Sequence, residues 1–261
     1  MGQKGITMSE KKIKFLTSEE LSYSNAFLRL IDNYGNCQIE EADLVVALGG
    51  DGFMLQTLHN TQNRDLPVYG MNYGTVGFLM NEFSEDNLVE RLKLSEETII
   101  NPLIMKAYCS GGDVETALAI NEVSLLRSSS QAAKLRILID GKERMKTLVC
   151  DGALVSTPAG STAYNYSAHG PILPIAANVL ALTAMAAYRP RRWRGAVLSS
   201  DAQIEFETLE FDKSPVAAVA DTVEVQNVLR LTIKSEKKIS HRLLFDPGHG
   251  LEERLLSEQF S

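Results

Sequence analysis

The stretch Leu44-Val45-Val46-Ala47-Leu48-Gly49-Gly50-Asp51-Gly52 constrains this chain more than any other. Five aliphatic residues run into three glycines around one carboxylate. A run of this length, bounded by turn residues and lacking polar alternation, fits a strand buried on both faces, as in a parallel sheet. Glycines at the carboxyl end of such a strand permit positive φ and let a ligand lie against the backbone. Phe53 to Asn60 reads as a helix, so the turn adjoins a helix N-terminus, where free N–H groups and the dipole favour a phosphate. Ligands of open α/β sheets bind at this strand end. The plain alternative is a tight turn with Asp51 as helix N-cap.

The surrounding chain supports the parallel-sheet reading. Ile13 to Leu16 reads as a first strand after a polar lead-in, Met1 to Ser9. Thr17-Ser18-Glu19-Glu20 forms a capping box for a helix whose apolar face is Leu21, Ala26, Phe27, Leu30 and Ile31, closed by Gly35. Pro67 to Met71 is the next strand, followed by a second glycine-bearing loop, Asn72 to Leu79. Ser84 to Leu92 reads as a helix capped by Ser84. Strands alternating with helices mean βαβ units.

The character changes at Asn101-Pro102. Leu103 to Cys109 and Glu115 to Ile120 flank Gly111-Gly112-Asp113, and Leu135 to Ile139 and Arg144 to Val149 flank Asp140-Gly141; both are hairpin signatures. Short strands follow at Ala196–Ser199, Gln203–Phe206, Val216–Ala220, Val228–Ile233 and His241–Phe245. Regular turn spacing of this kind predicts a β-sandwich or a related antiparallel domain. Ile175 to Ala187 reads as an interrupting helix, and Leu251 to Gln259 as a final one.

Composition excludes several classes. A formal charge of −7 lacks the basic footprint of non-specific nucleic-acid binding. No apolar run approaches the ~20 residues of a membrane span, and no secretory leader pattern is visible, so a cytoplasmic protein is expected. Cys37, Cys109 and Cys150 are too widely spaced for a CxxC metal site and read as buried reduced thiols. There is no HExxH, GxxxxGK[ST] or GxGxxG. A nucleotide here is bound by another design.

Further candidates carry less weight singly. Asp151 to Ser167 runs from a strand into a Pro- and Gly-bearing loop of hydroxyls and aromatics, suited to a polar planar ligand or to capping a helix. Asn121-Glu122 could hydrogen-bond a ribose diol from both directions, or be a solvated turn. Arg189, Arg191, Arg192 and Arg194 crowd around Trp193, as a phosphate-binding or interface patch. Asp221 follows a short strand, at a cleft or simply in a turn.

Taken together, Gly49-Gly50-Asp51-Gly52, Gly74-Thr75-Val76-Gly77-Phe78-Leu79, Asn121-Glu122 and Thr157-Pro158-Ala159-Gly160-Ser161-Thr162-Ala163-Tyr164 resemble the NAD kinase family in order and spacing. The GGDG element is shared with lipid kinases and phosphofructokinases; the TPxGSTAY register is specific. The resemblance implies an N-terminal Rossmann-like α/β domain (1–100) and a C-terminal β-sandwich domain that binds NAD (101–245). Residues 246–261 would return to the first domain, with the active site in the cleft between domains. It implies transfer of a phosphoryl group from ATP or inorganic polyphosphate, with Mg²⁺, to the 2′-hydroxyl of the adenosine ribose of NAD. Asp51 would be the general base. Gly49, Gly50, Gly52 and Asp221 would lie at the donor phosphates. Gly52, Phe78, Asn121, Glu122, Thr162, Ala163, Tyr164 and Ser167 would hold NAD. Asp151 would meet the nicotinamide end with a neighbouring subunit, in a homodimer or homotetramer. Two departures stand out: Ala159 replaces a frequent hydroxyl residue, and Asp221-Thr222 replaces a frequent Asp-Gly, where Thr resists positive φ. The rival readings are a GGDG-type lipid kinase and a non-catalytic NAD(P)-binding regulator.

Overall fold

The computed structural model describes residues 11–74, 77–248, 250, 252–254 and 256. The polar lead-in, Thr75 and Val76 of the second glycine loop, and most of the helix expected over 251–259 lie outside the described residues; 252–254 and 256 are helical. Two compact units divide the chain. The first runs to Ile100 and resumes at Ile239, and the second is Asn101–Lys238.

The first unit contains β1 (Ile13–Thr17), α1 (Asn25–Tyr34), β2 (Leu44–Gly49), α2 (Asp51–Thr61), β3 (Pro67–Asn72), α3 (Leu88–Leu94) and β4 (Glu96–Ile100). The second contains β5 (Leu103–Cys109), β6 (Val114–Ala119), β7 (Glu122–Arg127), β8 (Ala133–Ile139), β9 (Lys142–Cys150) and β10 (Gly152–Ser156). It continues with the single-turn α4 (Tyr164–Ser167), β11 (Val179–Met185), β12 (Gly195–Ser199), β13 (Ile204–Thr208), β14 (Val216–Ala220), β15 (Val223–Val225) and β16 (Val228–Ser235). The last strand, β17 (His241–Phe245), returns to the first unit.

The first sheet has the order β1-β2-β3-β17-β4. Its first four strands are parallel and β4 runs against β17. Every residue of β2 is buried, which explains its unbroken aliphatic run. The strand His241–Phe245, expected within the sandwich, instead inserts between β3 and β4. A doubly buried strand must pair on both edges, and β17 supplies the edge that no nearby segment gives β3.

Three helix expectations also differ. The Thr17–Glu20 box yields only a turn of 3₁₀ helix over Glu19–Leu21. The first α-helix starts later, where Ser24 Oγ accepts from Phe27 N at 3.2 Å, and Gly35 with φ 74° ends it as expected. Ser84 does not cap α3: its Oγ accepts from Asp86 N in a local turn, and left-handed Asn87 delays the helix to Leu88. Ile175 to Ala187 is not helical. Its alanines favoured a helix, but Val179–Met185 is a nearly wholly buried strand between β10 and β12. Tertiary pairing here overrides intrinsic propensity.

The second unit is a sandwich of two six-stranded sheets, β12-β11-β10-β7-β14-β15 and β6-β5-β16-β13-β8-β9. Their inner faces share one core that includes Met105, Val123, Leu125, Val155, Phe206 and Ile233. Both hairpins expected here are present. At the second, Asp140 and Gly141 both have positive φ, 51° and 73°, as a two-residue type I′ turn demands. Among the three cysteines, all free, only Cys150 is fully buried; Cys37 and Cys109 are half-buried. No helix among the described residues is long and apolar enough to cross a membrane.

Candidate active site

In the first unit, β2 delivers Gly49, Gly50, Asp51 and Gly52 to the head of α2. Gly50 is the N-cap and Asp51 the first helical residue, so Asp51 is not the cap. Its carboxylate instead reaches the second glycine loop: Oδ2 accepts from Phe78 N at 2.7 Å and Oδ1 from Leu79 N at 2.9 Å. A side chain at Gly77 would stand 2.5 Å from Asp51 Oδ1, so glycine there makes room for this grip. Gly49, Gly50 and Gly52 all keep negative or extended φ. The expected conformational need is absent, and their use is spatial. Nothing lies within 4 Å of where a Cβ would stand on Gly50 or Gly52. With the Asp51 carboxylate directed elsewhere, the first N–H groups of α2 are left to solvent or an anion.

Two residues passed over at the sequence level join this cluster. Asn72 pairs with Gly49 across β2 and β3, and its buried Oδ1 has no hydrogen-bond partner among the described residues. A polar residue ending an otherwise apolar strand was the available signal. Arg254 donates to Gly77 O at 2.8 Å and lies over the Phe245 ring. No sequence signal marks it, because its place depends on the return of the chain after Ile239.

In the second unit, Asn121, Glu122, Thr162, Ala163, Tyr164 and Asp221 are gathered around one corner. The turn between β6 and β7 packs against the loop after β10: Thr157 N and Ser156 Oγ donate to Asn121 O, and Thr157 Oγ1 donates to Ile120 O at 2.7 Å. A Cβ on Gly160 would fall 2.2 Å from Asn121 O, so glycine lets the two backbones touch. Not all of this loop's hydroxyls are open to a ligand. Ser156, Thr157 and Ser161 are buried and bonded within the fold. Thr162 and Ala163 are half-buried, and Tyr164 and Ser167 are exposed.

Asp221, expected at the donor phosphates, is engaged with the turn before β7. Its carboxylate accepts from Ile120 N at 2.7 Å and Asn121 N at 3.0 Å, clamping the Asn121-Glu122 turn. The left-handed residue is Asp221 itself, φ 48°, rather than Thr222. Glu122 stands beside this clamp. Burial first, then the Asp221 charge, raises its pKa to about 7, while the Tyr164 backbone N–H pulls the other way. Its buried Oε2 has no partner among the described residues. That is a costly arrangement unless a donor arrives. Asp151 stands apart from this group. It precedes β10 while Thr157 follows it, and the intervening strand separates them by roughly 20 Å. Asp151 is exposed and paired with Arg127 at 2.7 Å.

The chain matches the family profiles described as the ATP-NAD kinase N-terminal domain, over residues 2–97, and the ATP-NAD kinase C-terminal domain, over residues 120–238. The NAD kinase of Cereibacter sphaeroides (strain ATCC 17029 / ATH 2.4.9) is 60% identical over 97% of this chain and 100% of its own length. That of Caulobacter vibrioides is 55% identical over 96% of each. Yeast NADH kinase, solved in complex with NADH, shares the fold at a TM-score of 0.76 and 19% identity, covering 96% of this chain and 87% of its own. An Archaeoglobus fulgidus NAD kinase, solved in complex with ATP, gives 0.74 and 24%, covering 95% and 98%. Both domain profiles match in order, and close relatives align along nearly the whole chain: it belongs to the NAD kinase family.

Proposed function

We propose that this NAD kinase uses Asp51 to orient and deprotonate the 2′-hydroxyl of the adenosine ribose of NAD. The observation that carries the proposal is the grip on Asp51 by two successive amides. Each carboxylate oxygen already accepts one N–H, which fixes the group, and each retains a lone pair for a hydroxyl. The bond from the terminal phosphorus to the donor's bridging oxygen breaks, and a bond to the 2′-oxygen forms. The hydroxyl proton passes to Asp51 and then to water. A carboxylate is a weak base for a sugar hydroxyl, but a loose transition state asks for little proton removal before the new bond forms. Positioning therefore carries most of the effect.

The open backbone at Gly50 and Gly52, beside the α2 N-terminus, suits donor phosphate oxygens. Among the described residues no group of three or more His, Cys, Asp or Glu side chains is gathered for a metal. A Mg²⁺ carried on the donor phosphates would supply neutralisation of the charge that develops there. Phe78, Asn121, Glu122, Thr162, Ala163, Tyr164 and Ser167 bind NAD, with the orphaned Glu122 Oε2 accepting from a ribose hydroxyl. Asp221 serves by holding the Asn121-Glu122 turn rather than by touching the donor. Asp151, exposed and remote from that turn, meets the nicotinamide end in a homo-oligomer, and the enzyme works in the cytoplasm. The lipid-kinase and non-catalytic readings have no support among the relatives, which are NAD kinases along the full chain.

The test is NADP formation from NAD and Mg²⁺, with ATP and with polyphosphate in parallel. Asp51→Asn should keep its circular dichroism and NAD binding while kcat falls at least ~100-fold. A folded Asp51→Asn enzyme turning over at the wild-type rate sinks the assignment. The donor that yields NADP identifies itself.

A further inference from the structure

The grip on Asp51 continues into a second layer. Phe78 N and Gly77 O belong to one peptide group, and Leu79 N and Phe78 O to the next. The two N–H groups hold Asp51 at 2.7 and 2.9 Å. On the opposite side of the same two peptides, Arg254 Nη1 donates to Gly77 O at 2.8 Å and lies 3.4 Å from Phe78 O. A cation on the carbonyl side of a peptide polarises it and strengthens the bond its N–H makes to an anion. The guanidinium is itself held over the Phe245 ring, centroid distance 5.6 Å. Phe245 is the last residue of β17, so a central strand supports the arginine.

We propose that Arg254 is a positioning residue for phosphoryl transfer, acting on Asp51 through the Gly77–Phe78 and Phe78–Leu79 peptides. This rests on the assignment of Asp51 as the group facing the 2′-hydroxyl. The charge pattern agrees with it. Burial lowers the pKa of Arg254, and Asp51 is the foremost of the groups that oppose this. Arg91, the neighbouring arginine of this unit, is engaged elsewhere, pairing with Asp246 at 2.6 Å and bonding Glu82 O. The two cations are therefore not interchangeable. A lysine at 254 would carry the charge but lacks the planar guanidinium that lies over the Phe245 ring and fixes its position.

The experiment is steady-state NADP formation by wild type, Arg254→Ala, Arg254→Lys, Asp51→Asn and Arg254→Ala/Asp51→Asn, with thermal unfolding of each. Arg254→Ala should lose about tenfold or more in kcat with KM for NAD changed less than about threefold. Arg254→Lys should recover part of that loss, and added guanidinium ion, well below denaturing concentration, should restore Arg254→Ala where ammonium does not. In the Asp51→Asn background, Arg254→Ala should cost less than about twofold, because the group it positions is gone. A merely structural arginine would cost the same in both backgrounds and resist rescue, and that result overturns the proposal. So does a folded Arg254→Ala or Arg254→Lys enzyme with wild-type kcat. If Arg254→Ala does not fold, the lysine variant and its own double-mutant comparison decide in the same way. Failure of the wild type to form NADP with either donor, in the same assay, overturns the reading of Asp51 instead and the inference with it.

Discussion

Glu122 is a candidate site residue whose chemistry its surroundings change. Burial and the Asp221 charge raise its pKa from 4.5 to about 7. A carboxyl shifted upward in this way holds its proton longer in the folded chain than in the unfolded one. Its favourable contribution is complete below the unfolded value, declines as pH rises, and is lost above the folded value, with no further change beyond. Between about pH 5 and about pH 8 the wild type should therefore lose stability on the order of 3 kcal/mol from this group. Glu122→Gln should lack that component when the two are compared by urea denaturation. If the ionised Oε2 accepts from a ribose hydroxyl, KM for NAD should also fall as pH passes about 7 in the wild type alone. Identical pH profiles for both enzymes would remove Glu122 from the binding role. The residue was legible in the sequence through its place in the Asn121-Glu122 pair. Its clamp was not, because Asp221 lies 100 residues away from Asn121 and its left-handed backbone leaves no mark in composition. The same holds for Asp51: the glycines announced it, while its amide partners at Phe78 and Leu79 required the folded loop.

At the scale of elements, the hairpins and the α/β alternation could be read directly, since Asp140-Gly141 and the glycine turn after β2 have local causes. β11 could not. Ala181, Ala184 and Met185 suit a helix, and only pairing with β10 and β12 decides for a strand. Thr183 shows what that strand contributes to the site. Its Oγ1 donates to Asn165 Oδ1 at 2.6 Å, and Asn165 Nδ2 donates to Ser161 O and Pro171 O. Asn165 is fully buried and so ties the loop of Thr162, Ala163 and Tyr164 to β11. Thr183→Val keeps the shape and removes the donor, leaving a buried amide oxygen unsatisfied. The expected cost is about 1–3 kcal/mol of stability. On the proposed placement of NAD against that loop, KM for NAD should rise more than kcat falls. A variant of unchanged stability and unchanged KM would show that the tie is idle.

At the scale of the whole molecule, the two units differ in how the chain builds them. The second is one continuous segment with its own core. The first is interrupted by all of the second and completed only when β17 enters between β3 and β4. Asn81 secures that entry. Its Nδ2 donates to Gly70 O on β3 and to Leu244 O on β17, and its Oδ1 accepts from Asp246 N. Arg91 and Tyr69 both bond Asp246 as well. Without β17, the buried strand β3 exposes an unpaired edge, and a buried amide side chain loses two of its partners. A chain ending at Lys238 should therefore keep the β-sandwich but lose the first unit. A fragment spanning 101–238 should unfold cooperatively on its own, while a fragment spanning 11–100 should show no cooperative transition by calorimetry or circular dichroism. Adding 239–256 to the latter through a short flexible linker should restore one. Cooperative unfolding of the 11–100 fragment alone would mean that β17 is an accessory strand, and would weaken the support that Phe245 gives Arg254. The sequence offered the strand but not its partner, since parallel pairing across 175 residues between Tyr69 and Leu244 depends on topology rather than on local pattern.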